Sequence, residues 1–368
     1  MILNSLGLSP RQGVLDIETY VPGGHKLKNY EKPIVLSANE TPLGPSPKAR
    51  AAYLASSDNL ERYPDGSAKI LKNAIAEVYD INPAQIVCGS GSDELLSLIA
   101  QSYLSANDEA IHTEYGFLIY KVVILASGAK PVASRENNFV ADIDNILSNV
   151  TKNTKIVFLA NPNNPTGTFV SIEDVRRLRR SLSDNILLVI DGAYAEYVCQ
   201  DNYKAVIELV ETTYNTIMTR TFSKIHGLAA LRLGWAYCSA EVANVLNRVR
   251  GPFNVNSPAI SAGAAAIMDF AHMERARYHN DIWLVWLTKE VRKLGLEVTD
   301  SVGNFILINF PEGCHDAFKA NKFLQNSGII CRRTVDYGLN NSLRVTIGKE
   351  RENRILIDTL SRFISING

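Results

Sequence analysis

The shortages in this 368-residue chain are of paired cysteines, net charge and long apolar runs. Cysteine occurs five times, as Cys88, Cys199, Cys238, Cys314 and Cys331, an odd and scattered set without a CxxC pair or a Cys/His cluster. That spacing leaves nothing to chelate zinc, so no metal ligands are assigned and reduced thiols in the cytosol are expected. Lys+Arg and Asp+Glu each total 38, so no positive excess exists to draw in a phosphodiester backbone, and nucleic acid is not an expected partner. The densest basic cluster, "RRLRR" from Arg176 to Arg180, follows "SIEDV" on a helix and reads as a solvated face. The longest apolar runs, such as "ILLVI" from Ile186, are far too short to span a bilayer. The first residues also lack the basic-then-apolar pattern of an export signal, so neither export nor membrane anchoring is expected.

With 46% hydrophobic and 21% charged residues, the chain has an ordinary soluble composition, and its length suggests one large domain plus a smaller one, or two medium ones. Through its middle, short β-branched runs alternate with longer helical patterns: "IVCGS" at Ile86, "KIVFLANP" at Lys155, "ILLVIDGA" at Ile186, "NTIMTRT" at Asn215 and "LGWAYC" at Leu233. This rhythm predicts an α/β fold with a mainly parallel sheet flanked by helices. A long helical tract is expected from about Asn256 to Leu294, followed by a smaller α/β unit running from "GLEVTDSVGNFILINF" through "GIICRRTVDYGLNNSLRVTIG" to a closing helix. The first 45 residues, rich in Pro and Gly, read as an extended arm. The expected division is an arm over 1–45 that joins the small domain, a large domain over 46–275 and a small domain over 276–368.

Four stretches stand out chemically. "CGSGSDELLSL", from Cys88, is a strand end, two glycines and a helix start, whose first-turn amides and dipole suit a phosphate. It lacks the third glycine of a dinucleotide fingerprint and the Lys-Ser/Thr of a P-loop, and a plain strand-to-helix turn accounts for it equally well. "NPNNPTG", from Asn161, fixes a strand-exit turn from which Asn164 can aim an amide. "VIDGAY" sets Asp191 at the end of an apolar strand, where open α/β sheets place ligand groups. A carboxylate buried there requires a cationic partner, although "DGAY" could instead begin a helix with Asp191 as its cap. In "TRTFSKIHGLAALRLG", Lys224 sits among apolar residues, which lowers an amine's pKa and makes it nucleophilic toward an aldehyde. A phosphate group, a ring nitrogen wanting an acid partner and an aldehyde together describe pyridoxal 5'-phosphate.

"NPNNPTG", "DGAY", "SK" with "LR" eight residues past the lysine, and "LRVTIG" resemble fold-type I aminotransferases, most closely the histidinol-phosphate aminotransferases. The likeness runs from "YVPGG" and "SANETPLGPSPKA" through "RYPDG", "GSDELLSL" and "TRTFSK" to "GIICRR" and "YGLNNSLRVTIG". It implies that Lys224 bonds covalently to the cofactor and shuttles a proton, and that Asp191 pairs with the pyridinium nitrogen. Asn164 and Tyr194 match the groups that bond the cofactor's phenolic oxygen. Gly91, Ser92 and Asp93 lie where the phosphate-binding helix starts, with Thr221, Ser223 and Arg232 as further cofactor contacts. For the ring stacked on the cofactor the candidates are Phe117 and Tyr115, and counting from Asp108 favours Phe117. Tyr63 matches a tyrosine reaching the phosphate of the neighbouring subunit, which implies a homodimer with shared sites.

By the same resemblance, substrate choice rests on Tyr20, Asn164, Arg332 and Arg344, since guanidinium forks bind carboxylate and phosphate alike. Arg333 adjoins Arg332, and strand alternation points only one of them inward. The family's "DEAY" is "DGAY" here, its "NEN" is "NET" at Thr41, and His226 follows the lysine by two residues; a packing role is expected for that histidine. The implied activity is amino transfer between L-glutamate and imidazole-acetol phosphate, in histidine biosynthesis. An aromatic or broad-specificity aminotransferase and a phosphothreonine decarboxylase share the scaffold, and aminotransferase-like sensing modules of transcription regulators carry a DNA-binding segment for which only the arm leaves room.

Overall fold

The computed structural model describes residues 10–19, 24–198, 205–311 and 316–367. A seven-stranded sheet runs across the molecule in the order Ile86–Gly89, Gly234–Tyr237, Thr216–Thr221, Leu187–Asp191, Thr154–Ala160, Glu109–Thr113, Lys130–Ser134. Every pairing is parallel except those of Gly234–Tyr237, which lies antiparallel to both neighbours. All five expected strands are present; the two further strands, Glu109–Thr113 and the edge strand Lys130–Ser134, carry too weak a pattern to be read beforehand.

The central strands are buried on both faces, which explains their continuous apolar runs. Cys88, Val157, Leu159, Leu188 and Ile190 join one core, while Val87, Ile156, Phe158, Val189 and Ile217 join the other. The strict alternation sorts them, and full burial of each aliphatic side chain contributes about 1.5–3 kcal/mol.

A four-stranded antiparallel sheet, ordered Glu297–Val298, Phe305–Asn309, Leu339–Thr346, Arg332–Thr334, surrounds a third core with Leu287, Val291, Leu343 and Leu356. The stretch Ile34–Val35 pairs in parallel with Ile329–Ile330, and Thr346 donates its amide to the Leu36 carbonyl at 2.9 Å, so residues 34–36 lie against this smaller sheet.

Two expectations are corrected. The tract from Asn256 to Leu294 is two helices, Ser257–Ile267 and Phe270–Lys293. Asp269 leaves helical geometry (φ −93°, ψ 68°) and its carbonyl accepts the His272 and Met273 amides, in keeping with the preference of Asp for helix ends over interiors. In "RRLRR", Arg180 is exposed but Arg179 is buried. Its Nη1 donates to the carbonyls of Ile186 (2.8 Å) and Asn215 (3.2 Å), and its Nη2 to those of Leu182 (2.9 Å) and Ser183 (3.0 Å), tying off the strand entry behind the helix. Charge periodicity alone does not show that a loop of bare carbonyls lies beneath one of five positions.

Candidate active site

Five strand exits converge at the carboxyl edge of the large sheet, the place where open parallel sheets bind ligands. There they enclose a cavity of about 260 Å³. Its floor is set by Asp191, the last residue of its strand and 4% exposed. The carboxylate accepts from the Tyr120 hydroxyl at 2.8 Å and from the Thr219 hydroxyl at 3.2 Å. Burial raises its pKa to about 6, partly opposed by those two hydrogen bonds and one from the Ala193 amide. No α-helix starts at "DGAY"; a short 3-10 turn, Ala195–Tyr197, follows instead, so capping does not occupy this carboxylate.

Lys224 faces the same cavity from the exit of Thr216–Thr221. Its Nζ donates to the Ala38 carbonyl at 3.2 Å and lies 5.7 Å from the centre of the Tyr194 ring. Burial, and secondarily the Arg344 guanidinium, lowers the amine's pKa to about 8, with Asp93 and Glu40 acting in the opposite sense. The neighbouring His226 is 5% exposed with its ring 4.9 Å from that of Phe222, and burial lowers its pKa, a packed neutral imidazole off the cavity wall.

One end of the cavity collects anion-binding groups. The helix Ser92–Tyr103 begins at Gly91, whose φ of +88° favours glycine and where a Cβ would lie 2.5 Å from Nη2 of Arg232. Arg232 donates to the Ser223 hydroxyl at 3.2 Å and to Asp93 at 3.3 Å. Ser92, Asp93, Thr221, Ser223 and Arg232 all line the space. A helix N-terminus, a hydroxyl and a guanidinium together form a phosphate cradle.

The opposite wall comes from the smaller sheet. Arg332 and Arg344 are direct cross-strand partners, both under 10% exposed. Like charges so placed repel unless an anion lies between them. Arg344 donates to Oδ1 of Asn164 at 2.5 Å and to the Ser37 carbonyl at 2.7 Å, and its buried Nε has no hydrogen-bond partner among the described residues. Arg332 meets Asp336 at 2.7 Å. Arg333 turns the other way and lies 5.1 Å from the centre of the Phe318 ring, as strand alternation requires.

Phe117 lines the cavity, whereas the Tyr115 ring packs on that of Phe139 at 5.7 Å. Asn164 and Tyr194 are also on the wall. Tyr63 is 82% exposed, stacked at 4.6 Å on Phe253 and away from this cavity, and Tyr20 lies outside the described residues. Sequence reasoning missed Tyr120, Asn39, Tyr337 and His25. For Tyr120 a signal existed: a tyrosine on the buried face of an apolar helix needs a partner for its hydroxyl, though not which one.

The residues present fit pyridoxal 5'-phosphate: an amine of lowered pKa, a buried carboxylate for a ring nitrogen, an aromatic wall at Phe117 and a phosphate cradle at Arg232.

The chain belongs to the aminotransferase class I and II family, which it matches over residues 31–360. It is 49% identical to histidinol-phosphate aminotransferases of Rhodopseudomonas palustris, strain BisB18 (97% of this chain, 98% of the relative) and strain TIE-1 (96% and 98%). Among solved structures, the histidinol-phosphate aminotransferase of Sinorhizobium meliloti in complex with pyridoxal-5'-phosphate matches with a TM-score of 0.87 at 24% identity over 97% of each chain. L-threonine-O-3-phosphate decarboxylase of Porphyromonas gingivalis matches at 0.79 and 19% identity over 90% of this chain and 99% of that one, a likeness of fold alone. The α/β architecture is that of the fold-type I pyridoxal-phosphate enzymes.

Proposed function

We propose that this chain is a pyridoxal 5'-phosphate-dependent aminotransferase that moves an amino group between L-glutamate and imidazole-acetol phosphate, giving 2-oxoglutarate and L-histidinol phosphate in histidine biosynthesis. The observation that carries the reading is the placement of Lys224, Asp191 and the Arg332–Arg344 pair around one cavity, in a chain 49% identical to histidinol-phosphate aminotransferases.

When bound, the cofactor supplies an aldehyde for covalent capture of amines and a ring that withdraws electrons from the substrate's Cα. Asp191 holds a proton on the ring nitrogen, and the bonds from Tyr120 and Thr219 keep its carboxylate aimed there. Lys224, as a free amine, would carry a proton between the substrate Cα and the cofactor's C4'. Gly91, Ser92, Asp93, Thr221, Ser223 and Arg232 would hold the phosphate end, and Phe117 would pack against the ring. Asn164 and Tyr194 bond the phenolic oxygen. Arg344 and Arg332, with Tyr20, take the glutamate carboxylate and the substrate phosphate in turn, because both anions accept the same fork.

The proposed organisation is an arm over 1–45, a large cofactor-binding domain over 46–275 and a small domain over 276–368; the pairing of Ile34–Val35 with Ile329–Ile330 supports the arm's association with the last. The proposed assembly is a homodimer in which Tyr63 reaches the neighbouring site, and the solvent-presented Tyr63–Phe253 stack supports it. Among the described residues no helix is long and apolar enough to cross a membrane. A cytoplasmic location is proposed, supported by the free, buried thiols of Cys88, Cys238 and Cys331.

The test compares kcat/KM for histidinol phosphate with that for phenylalanine and tyrosine, using 2-oxoglutarate as acceptor. The expected preference for histidinol phosphate is at least about tenfold. A preference for the aromatic amino acids overturns the substrate assignment, and absence of turnover by the cofactor-loaded protein overturns the enzyme.

A further inference from the structure

Asn39 occupies a junction of three chain segments and is 1% exposed. It follows the Ile34–Val35 strand in left-handed backbone geometry (φ +55°), which asparagine tolerates better than most residues. All of its polar groups are engaged. The backbone amide donates to Thr346 Oγ1 at 2.9 Å, the carbonyl accepts from Asn304 Nδ2 at 2.9 Å, Thr346 Oγ1 donates to Oδ1 at 3.2 Å, and Nδ2 donates to the Tyr194 hydroxyl at 2.9 Å.

The direction of these bonds is set by Thr346. Its hydroxyl oxygen accepts the Asn39 amide, so its own proton goes to Oδ1, and among the described residues it has no other acceptor. Rotating the Asn39 carboxamide by a half-turn would face two donors toward that hydroxyl and strand the threonine proton in a buried site, which is unfavourable. The carboxamide therefore presents nitrogen to Tyr194. The Tyr194 oxygen accepts this bond, the side chain is 3% exposed, and no group among the described residues accepts the tyrosine proton. That proton is left for the cavity the side chain lines.

We infer that Asn39 and Thr346 are positioning residues that force the Tyr194 hydroxyl to act as a donor toward the bound cofactor. The inference rests on the proposed placement of the cofactor's phenolic oxygen at Tyr194. Its consequence is a hydrogen bond favouring the ionised form of that oxygen. It also links the arm, the strand Leu339–Thr346 and the cofactor wall in one chain of bonds.

The experiment is a spectrophotometric pH titration of the visible band of the lysine-bound cofactor in the loaded parent and four variants. Tyr194→Phe removes the donor and shifts the band's apparent pKa up by about one unit or more, the usual effect of losing one hydrogen bond to a charged group. Asn39→Asp offers only acceptors to Tyr194 and draws the proton away, so it shifts the pKa in the same direction. Thr346→Val removes the pivot and does likewise, whereas Thr346→Ser, which keeps the hydroxyl, stays within about 0.3 units of the parent. No shift in Tyr194→Phe refutes the cofactor placement. A shift in Tyr194→Phe with none in Asn39→Asp or Thr346→Val refutes the positioning role, as does equal behaviour of the Ser and Val variants. Should Asn39→Asp fail to retain cofactor, the Val/Ser contrast at 346 decides alone.

Discussion

Asp191 is where the chain accepts instability for chemistry, and replacing it with asparagine measures how much. Its carboxyl is 4% exposed, and burial raises its pKa from an ordinary value near 3.8 to about 6. The folded apoprotein thus holds this proton more tightly than the unfolded chain does. Between those two pH values the folded state binds more protons than the unfolded one, so stability falls as pH rises. Above about pH 6 the cost is constant, and at 1.36 kcal/mol per unit the two-unit shift is worth about 3 kcal/mol. Asparagine retains an acceptor for the Tyr120 hydroxyl and carries no charge. In urea titrations of apoprotein at fixed concentration, Asp191→Asn should be more stable than the parent by up to about 3 kcal/mol at pH 7.5, with the gap closing below about pH 4. Turnover should be lost, since no acid remains to hold the ring proton. A stability difference that does not change between pH 4 and pH 7.5 refutes the reasoning, because the folded-state pKa of Asp191 would then not be raised.

Capture of cofactor by the apoprotein requires the neutral amine of Lys224, so its rate should climb about tenfold per pH unit and level off near pH 8; stopped-flow absorbance reads this, and a climb continuing toward pH 10 contradicts the lowered pKa. Arg344→Gln should reduce kcat/KM for glutamate and histidinol phosphate by about 10- to 100-fold, the worth of one charge-assisted hydrogen bond, while the protein still loads one equivalent of cofactor. Arg179→Met should cost about 3 kcal/mol in urea unfolding, because the carbonyls of Leu182, Ser183, Ile186 and Asn215 lose their donor; a loss under about 0.5 kcal/mol would mark it as a surface residue after all.

The large sheet was legible because strands buried on both faces announce themselves as apolar runs, and because Gly91, Asn164, Asp191 and Lys224 sit at or just past the ends of such runs. Lys224, Asp191, Asn164 and Arg232 could be named from sequence and are found around one cavity. What escaped was contact across chain distance. Tyr120 meets a carboxylate 71 positions away, and Asn39 meets Thr346 and Tyr194 at separations of 307 and 155. No local pattern encodes such pairings. Arg179 misled for a related reason, since a run of five with four arginines looks uniformly solvated until the fold shows which one lies over a carbonyl-rich turn. The helix break at Asp269 was visible as a helix-disfavouring residue, but an apolar period that continues on both sides concealed it.

Everything at the site turns on whether the half-buried amine of Lys224 holds the cofactor. Loading the protein with pyridoxal 5'-phosphate, reducing it with borohydride and mapping the modified peptide by mass spectrometry tests this directly. One equivalent of reduced cofactor is expected on Lys224 and none in Lys224→Ala. Attachment at a different lysine, or a fully active Lys224→Ala variant, contradicts it.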